Sequence, residues 1–63
     1  MNQDIRSNPP RLLTVPEAAH YLTISERKVR DEIAKGMLRA AKIGRRLIIR
    51  IRDLDDYVEE RLK

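Results

Sequence analysis

Apolar residues recur at helical spacing from Val15 onward. Val15, Ala18, Ala19 and Leu22 fall at i, i+3, i+4 and i+7, which lines them along one side of a helix. The preceding Thr14-Val15-Pro16-Glu17 has capping-box spacing: the threonine hydroxyl accepts from the Glu17 amide, and the Glu17 carboxylate reaches back. Proline is tolerated in that turn because the first amides of a helix have no helical partners. The two alanines leave room for a second helix to approach closely. After Thr23-Ile24, Ser25 is the next cap, opening a segment whose apolar Val29 and Ile33 lie four apart on one face. Gly36 closes that segment, since glycine takes the left-handed conformation without a Cβ penalty. Two short amphipathic helices joined by so tight a turn form a helix-turn-helix.

Beyond Gly36 the pattern changes to strand. Leu38 to Ile43 and Leu47 to Ile51 are two short β-rich runs, and Gly44-Arg45-Arg46 between them predicts a three-residue hairpin connection. Leu47, Ile49 and Ile51 form an apolar face; Ile48 falls on the opposite face with Arg50 and Arg52, against the pattern. A last helix is expected to start near Arg52 or Asp53, with acids in its first turn favoured by the helix dipole. Its apolar stripe is Leu54, Tyr57, Val58 and Leu62, and its other face is acidic through Asp55, Asp56, Glu59 and Glu60. Residues 1–11, ending in Asn8-Pro9-Pro10-Arg11, read as a flexible N-terminal arm. Residues 12–63 read as one small α+β domain, a winged helix-turn-helix in the order α-α-β-β-α.

Composition narrows the chemistry. Sixty-three residues suffice for one domain with a small core. Cysteine is absent, which excludes disulfides and thiolate zinc sites, and the single His20 builds no metal site without several carboxylates around it. No metal and no cofactor is therefore expected. No apolar run approaches the roughly 18–20 residues of a membrane span, and the start lacks a secretory signal, so a cytoplasmic protein without membrane contact is expected. There is no glycine-rich phosphate cradle. Ser25 has no neighbouring histidine in sequence to activate it, and His20 lies off the apolar stripe as a surface residue. Nothing in the sequence points to an enzyme.

Charge is unevenly placed. The net charge is +4, but the stretch from Arg27 to Arg52 holds ten basic residues against Asp31 and Glu32, a local +8, while Asp53 to Lys63 carries −3. A basic face with an acidic end suits a polyanion, nucleic acid first. In a helix-turn-helix the second helix makes the reading contacts in the major groove, and here it offers Ser25, Arg27, Lys28 and Arg30. The competing reading pairs Arg27 and Lys28 with Asp31 and Glu32 at i, i+4, worth only about 0.2–0.5 kcal/mol per pair. Lys42, Arg45 and Arg46 put three cations on the hairpin, able to lie along phosphates or enter the minor groove. They equally guard a sheet edge against aggregation. The acidic last helix would face away from DNA.

An ordered set of segments carries a family likeness: Leu13-Thr14-Val15-Pro16-Glu17-Ala18-Ala19, Leu22, Ile24-Ser25, Val29, Ile33, Gly36-Met37-Leu38, Lys42-Ile43-Gly44-Arg45-Arg46, Asp53-Leu54 and Tyr57-Val58. With these, residues 12–62 resemble the excisionase-type helix-turn-helix family, relatives of the MerR DNA-binding domain. Thr23 stands where that family usually has glycine, and Arg50 where it commonly has proline, a change that extends the second strand. The resemblance implies a winged helix with Ser25 to Lys35 in the major groove and Lys42 to Arg46 along the backbone or minor groove. Family members include directionality factors that bind tandem sites near an attachment site, bend the DNA and help a partner integrase choose excision. It thus implies double-stranded DNA and an integrase as partners, with a monomer that self-associates cooperatively on tandem sites. The chain ends at Lys63 without the dimerisation helix and ligand domain of effector-sensing MerR regulators, which favours an architectural role. A stand-alone transcription regulator using the same surface is the alternative, and an interaction adaptor docking through the acidic helix a second one.

Overall fold

Thr14 ends one element and starts the next. The computed structural model describes residues 11–63, so the arm expected over residues 1–11 lies, apart from Arg11, outside the described residues. Strand β1 (Leu12–Thr14) runs straight into helix α1 (Val15–Leu22), and helix α2 (Glu26–Ala34) follows. Strands β2 (Ala41–Ile43) and β3 (Arg46–Arg50) form a hairpin, and β3 passes directly into helix α3 (Ile51–Leu62). The architecture is α+β, three helices with a three-stranded antiparallel sheet in the order β1-β3-β2, consistent with a winged helix-turn-helix.

The sequence pattern accounts for both helix starts. The Thr14 hydroxyl accepts from the Glu17 amide while the Thr14 amide donates to Glu17 Oε1 at 2.8 Å, so the capping box is closed. Ser25 accepts from the Lys28 amide at 3.0 Å and caps α2. At the end of α2, Gly36 has φ +78°; its amide donates to the Ile33 carbonyl and the Met37 amide to that of Glu32. These are the two bonds of a left-handed helix terminus.

Four features depart from the sequence expectation. The added strand β1 pairs with β3 through Leu13↔Ile49, burying both side chains; three residues are too few for alternation to announce a strand. Leu38 belongs to no strand: its amide bonds the Glu32 carbonyl and its side chain enters the core, so β2 starts only at Ala41. The hairpin connection is two residues, because Ile43 pairs with Arg46 and leaves Gly44-Arg45 as the turn. Positive φ at Gly44 alone is the sign pattern of a II′ turn. Ile51, expected at the strand end, opens α3, and Arg50 both ends β3 and stands at the N-cap position of the helix without a side-chain capping bond.

The core is Leu13, Val15, Ala18, Ala19, Val29, Leu38, Ile49 and Leu54, with Leu22, Ile24, Ile33, Leu47, Ile51 and Tyr57 packed around it. Each of the three helices and two of the three strands thus contributes. Ile48 gains an explanation here. On the central strand it stands between Thr14 and Ala41, whose neighbouring strands half-cover it. Leu62, expected in the α3 stripe, is 73% exposed, because residues 59–63 extend beyond the core and none of them is covered.

The turn between α1 and α2 is strained. Thr23 has φ 62° and ψ 41°, its amide bonds the His20 carbonyl, and the Ile24 amide bonds that of Ala19. A β-branched residue in this region costs roughly 1–2 kcal/mol, offset in part by the backbone entropy that glycine would lose. Thr23→Gly is therefore expected to stabilise the domain by roughly 0.5–1 kcal/mol, raising Tm by a few degrees in thermal unfolding followed by circular dichroism. An unchanged or lower Tm would mean that the threonine side chain compensates for its own strain.

Candidate nucleic-acid interface

The turn after α1 sets the position of α2 by burying Val29 against the alanine side of α1. At roughly 100° per residue, Arg27 then points almost opposite the buried face, with Lys28 and Arg30 flanking it on either side. Arg30 leans toward the hairpin. Arg30, Arg45 and Arg46 line one cleft of about 360 Å³, whose floor is Leu47 and the α1 start, Thr14, Val15 and Pro16. Arginines from the second helix and from the hairpin thus border one open cleft.

Electrostatics distinguish the expected contacts. Arg27, Arg30, Lys42, Arg45 and Arg46 are exposed and make no ion pair among the described residues. The i, i+4 pairing considered for Arg27 and Asp31 does not form, whereas Lys28 does meet Glu32, at 3.2 Å. Ser25 spends an oxygen lone pair on the Lys28 amide and keeps its hydroxyl proton available. Lys42 lies opposite Leu47 in the hairpin, one step back from the Gly44-Arg45 turn. The Thr14 amide and hydroxyl hold Glu17 below the usual carboxylate range, and the positive charge of Arg46 adds to the effect. Arg46 therefore lies close enough to the α1 start for its field to be felt there.

Spacing singled out Glu32 only as a surface partner of Lys28 and did not reveal its burial. Glu32 is 2% exposed, yet charged. Its Oε1 accepts from Arg61 at 2.7 Å and from the Tyr57 hydroxyl at 3.0 Å, while Oε2 faces Lys28 and Lys35, the latter at 3.5 Å. Arg61 also lies over the Tyr57 ring, 4.5 Å from its centroid. Burial pushes the Glu32 carboxyl up, but the bonds from Tyr57 and Lys28 and the charge of Lys35 outweigh it and bring its pKa down to about 2. A signal was present in the sequence: Glu32 sits three residues after Val29 and beside Ile33, on the apolar side of the helix. Tyr57, expected in the core, is half-buried and gives its hydroxyl to this cluster.

Among the described residues, no helix is long and apolar enough to cross a membrane, and no three His, Asp or Glu side chains gather as metal ligands do. The model of the helix-turn-helix domain family matches residues 12–62. No curated protein matches the chain.

A carboxylate whose pKa falls from 4.5 to about 2 on folding stabilises the fold fully above pH 4.5 and loses that contribution as pH falls toward 2. Thermal unfolding at constant ionic strength should show Tm falling through this window. Glu32→Gln should lower Tm at neutral pH and make the acid fall shallower than in the wild type. Equal Tm values at pH 7 would show that the charge of Glu32 contributes nothing to the fold.

Proposed function

The chain belongs to the helix-turn-helix domain family, and we propose that it is a sequence-specific DNA-binding excisionase. In this role it binds and bends DNA near an attachment site and promotes excision by a partner integrase. The family includes excisionase-like DNA-binding proteins. The observation that carries the DNA-binding part is the shared cleft of Arg30, Arg45 and Arg46, which joins the second helix to the hairpin in one basic surface.

Helix α2 enters the major groove, where Arg27, Lys28 and Arg30 meet base edges or flanking phosphates and the free proton of Ser25 meets a phosphate. The hairpin carries Arg45 and Arg46 onto the neighbouring backbone, with Lys42 behind them. Two elements gripping the duplex on either side of a concave surface favour a bent path, because bending brings more phosphates within reach of both. Copies on tandem sites bind cooperatively in this proposal.

Two measurements test it. Neutralising about six phosphates gives a slope near −5 for log affinity against log salt, and Arg45→Ala and Arg46→Ala should each flatten it by about 0.9. Affinity that ignores salt would overturn the basic-surface assignment. A footprint on DNA from the source genome is expected to show tandem, closely spaced sites beside an attachment region. Isolated or inverted sites over promoters would instead assign a transcription regulator.

A further inference from the structure

Glu32 divides its two oxygens between two helices. Oε1 is taken by Arg61 and Tyr57 of α3, which fix the carboxylate from behind. Oε2 faces the surface of α2, where Lys28 stands 3.2 Å away and half exposed. Lys35 stands 3.5 Å from the same oxygen, so the single charge of Glu32 is shared by Lys28, Lys35 and Arg61, and the half-exposed Lys28 ammonium keeps N–H donors for a ligand. Arg30, on the other flank of α2, has no such partner among the described residues.

These two flanks suit different tasks on DNA. An unpaired lysine neutralises any phosphate it reaches, which adds affinity for every sequence alike and releases a counterion. A lysine drawn toward a shared buried carboxylate brings less than its full charge to the duplex, but it still offers donors to the N7 and O6 acceptors of guanine. Resting on the DNA-binding function above, we propose that Glu32 is a positioning residue of the interface, holding Lys28 and offsetting part of its charge so that it reads a base rather than a phosphate. Non-specific attraction is then left to the unpaired arginines, and Tyr57 and Arg61 set the geometry of a base contact from the far side of the domain.

The test uses the 63-residue chain, a duplex that the wild type selects from a random-sequence pool, and a scrambled duplex of equal composition. Affinities are measured from about 50 to 300 mM salt for the wild type, Lys28→Ala, Glu32→Gln and the double variant. Lys28→Ala should weaken binding to the selected duplex roughly 5- to 100-fold, the cost of one lost base contact, and flatten the salt slope by much less than the roughly 0.9 of a phosphate ligand. Glu32→Gln should steepen the slope on both duplexes by about 0.9 or more and narrow the ratio between them. Adding Lys28→Ala to Glu32→Gln should remove about 0.9 of that excess.

A purely structural Glu32 would weaken both duplexes without steepening either slope, which would overturn the proposal. So would a slope that Lys28→Ala flattens by about 0.9 in the otherwise wild-type chain, the mark of an ordinary phosphate ligand. That single variant decides the matter if Glu32→Gln proves unfolded. Failure of the wild type to bind any duplex would overturn the DNA-binding function itself, and the wild-type arm alone reveals it.

Discussion

The Thr14–Glu17 capping box is the joint on which the candidate interface is built. Thr14 pairs with Ile48 in the sheet and caps α1 in the same step, so no loop separates strand from helix. The direction of α1 is thereby fixed relative to β3, and β3 carries the hairpin and its arginines. Ala18 and Ala19 then admit α2 closely, and α2 carries Arg30. Convergence of Arg30 with Arg45 and Arg46 follows from this chain of constraints rather than from any contact among the arginines, whose charges repel. The fold does the work of holding like charges together, and a polyanion in the cleft would relieve that repulsion.

A domain of this size has few apolar side chains to define a unique arrangement, and it places a carboxylate among them. Removing Glu32 from water is costly, and a buried ion pair often adds little net stability compared with apolar packing. The carboxylate does specify orientation. Arg61 and Tyr57 reach it only if α3 lies at one rotation about its axis, whereas Leu54 alone tolerates some rolling. Arg50, bonded to Asp53 at 2.8 and 3.2 Å, and Tyr21, bonded to Asp55, hold the N-terminal half of α3 in the same way. Three polar anchors thus orient a helix whose apolar stripe is short.

The helices were legible because their signals are local. Capping residues, a 3.6-residue period and a closing glycine act within one turn, so Thr14, Ser25 and Gly36 appear where the spacing placed them. The third strand was not legible, because Leu12 to Thr14 become a strand only through pairing with residues some 36 positions away. Position 38 misled for a similar reason: its leucine is apolar like a strand residue, but the end of α2 captures its amide. The candidate site divides along the same line. Which residues are cationic could be read directly, and so could the helix or hairpin that carries them. That Arg30 shares a cleft with Arg45 and Arg46 while Lys28 turns to Glu32 depends on the packing of α2 and α3, which no local pattern encodes.

The local charge of +8 between Arg27 and Arg52 overstates what a ligand would meet. Glu32 neutralises part of the Lys28 and Lys35 charge, and Asp53 engages Arg50. The ion pairs involve Lys28, Lys35, Arg50, Arg61 and Lys63, and leave the cations of the cleft and the hairpin unpaired among the described residues. The acidic helix is affected likewise. Asp53 and Asp55 are bonded to residues outside the helix and so help to anchor it, while Glu60 pairs only with Lys63 at the end of the same helix. Folding therefore sharpens a diffuse sequence asymmetry into a compact basic surface. With a Debye length of about 8 Å at physiological salt, such a surface attracts a ligand chiefly by close contact, and only groups within the cleft's own dimensions contribute. Shape then matters as much as total charge, so three arginines bordering one cleft say more about what the surface could hold than the net charge of the chain does.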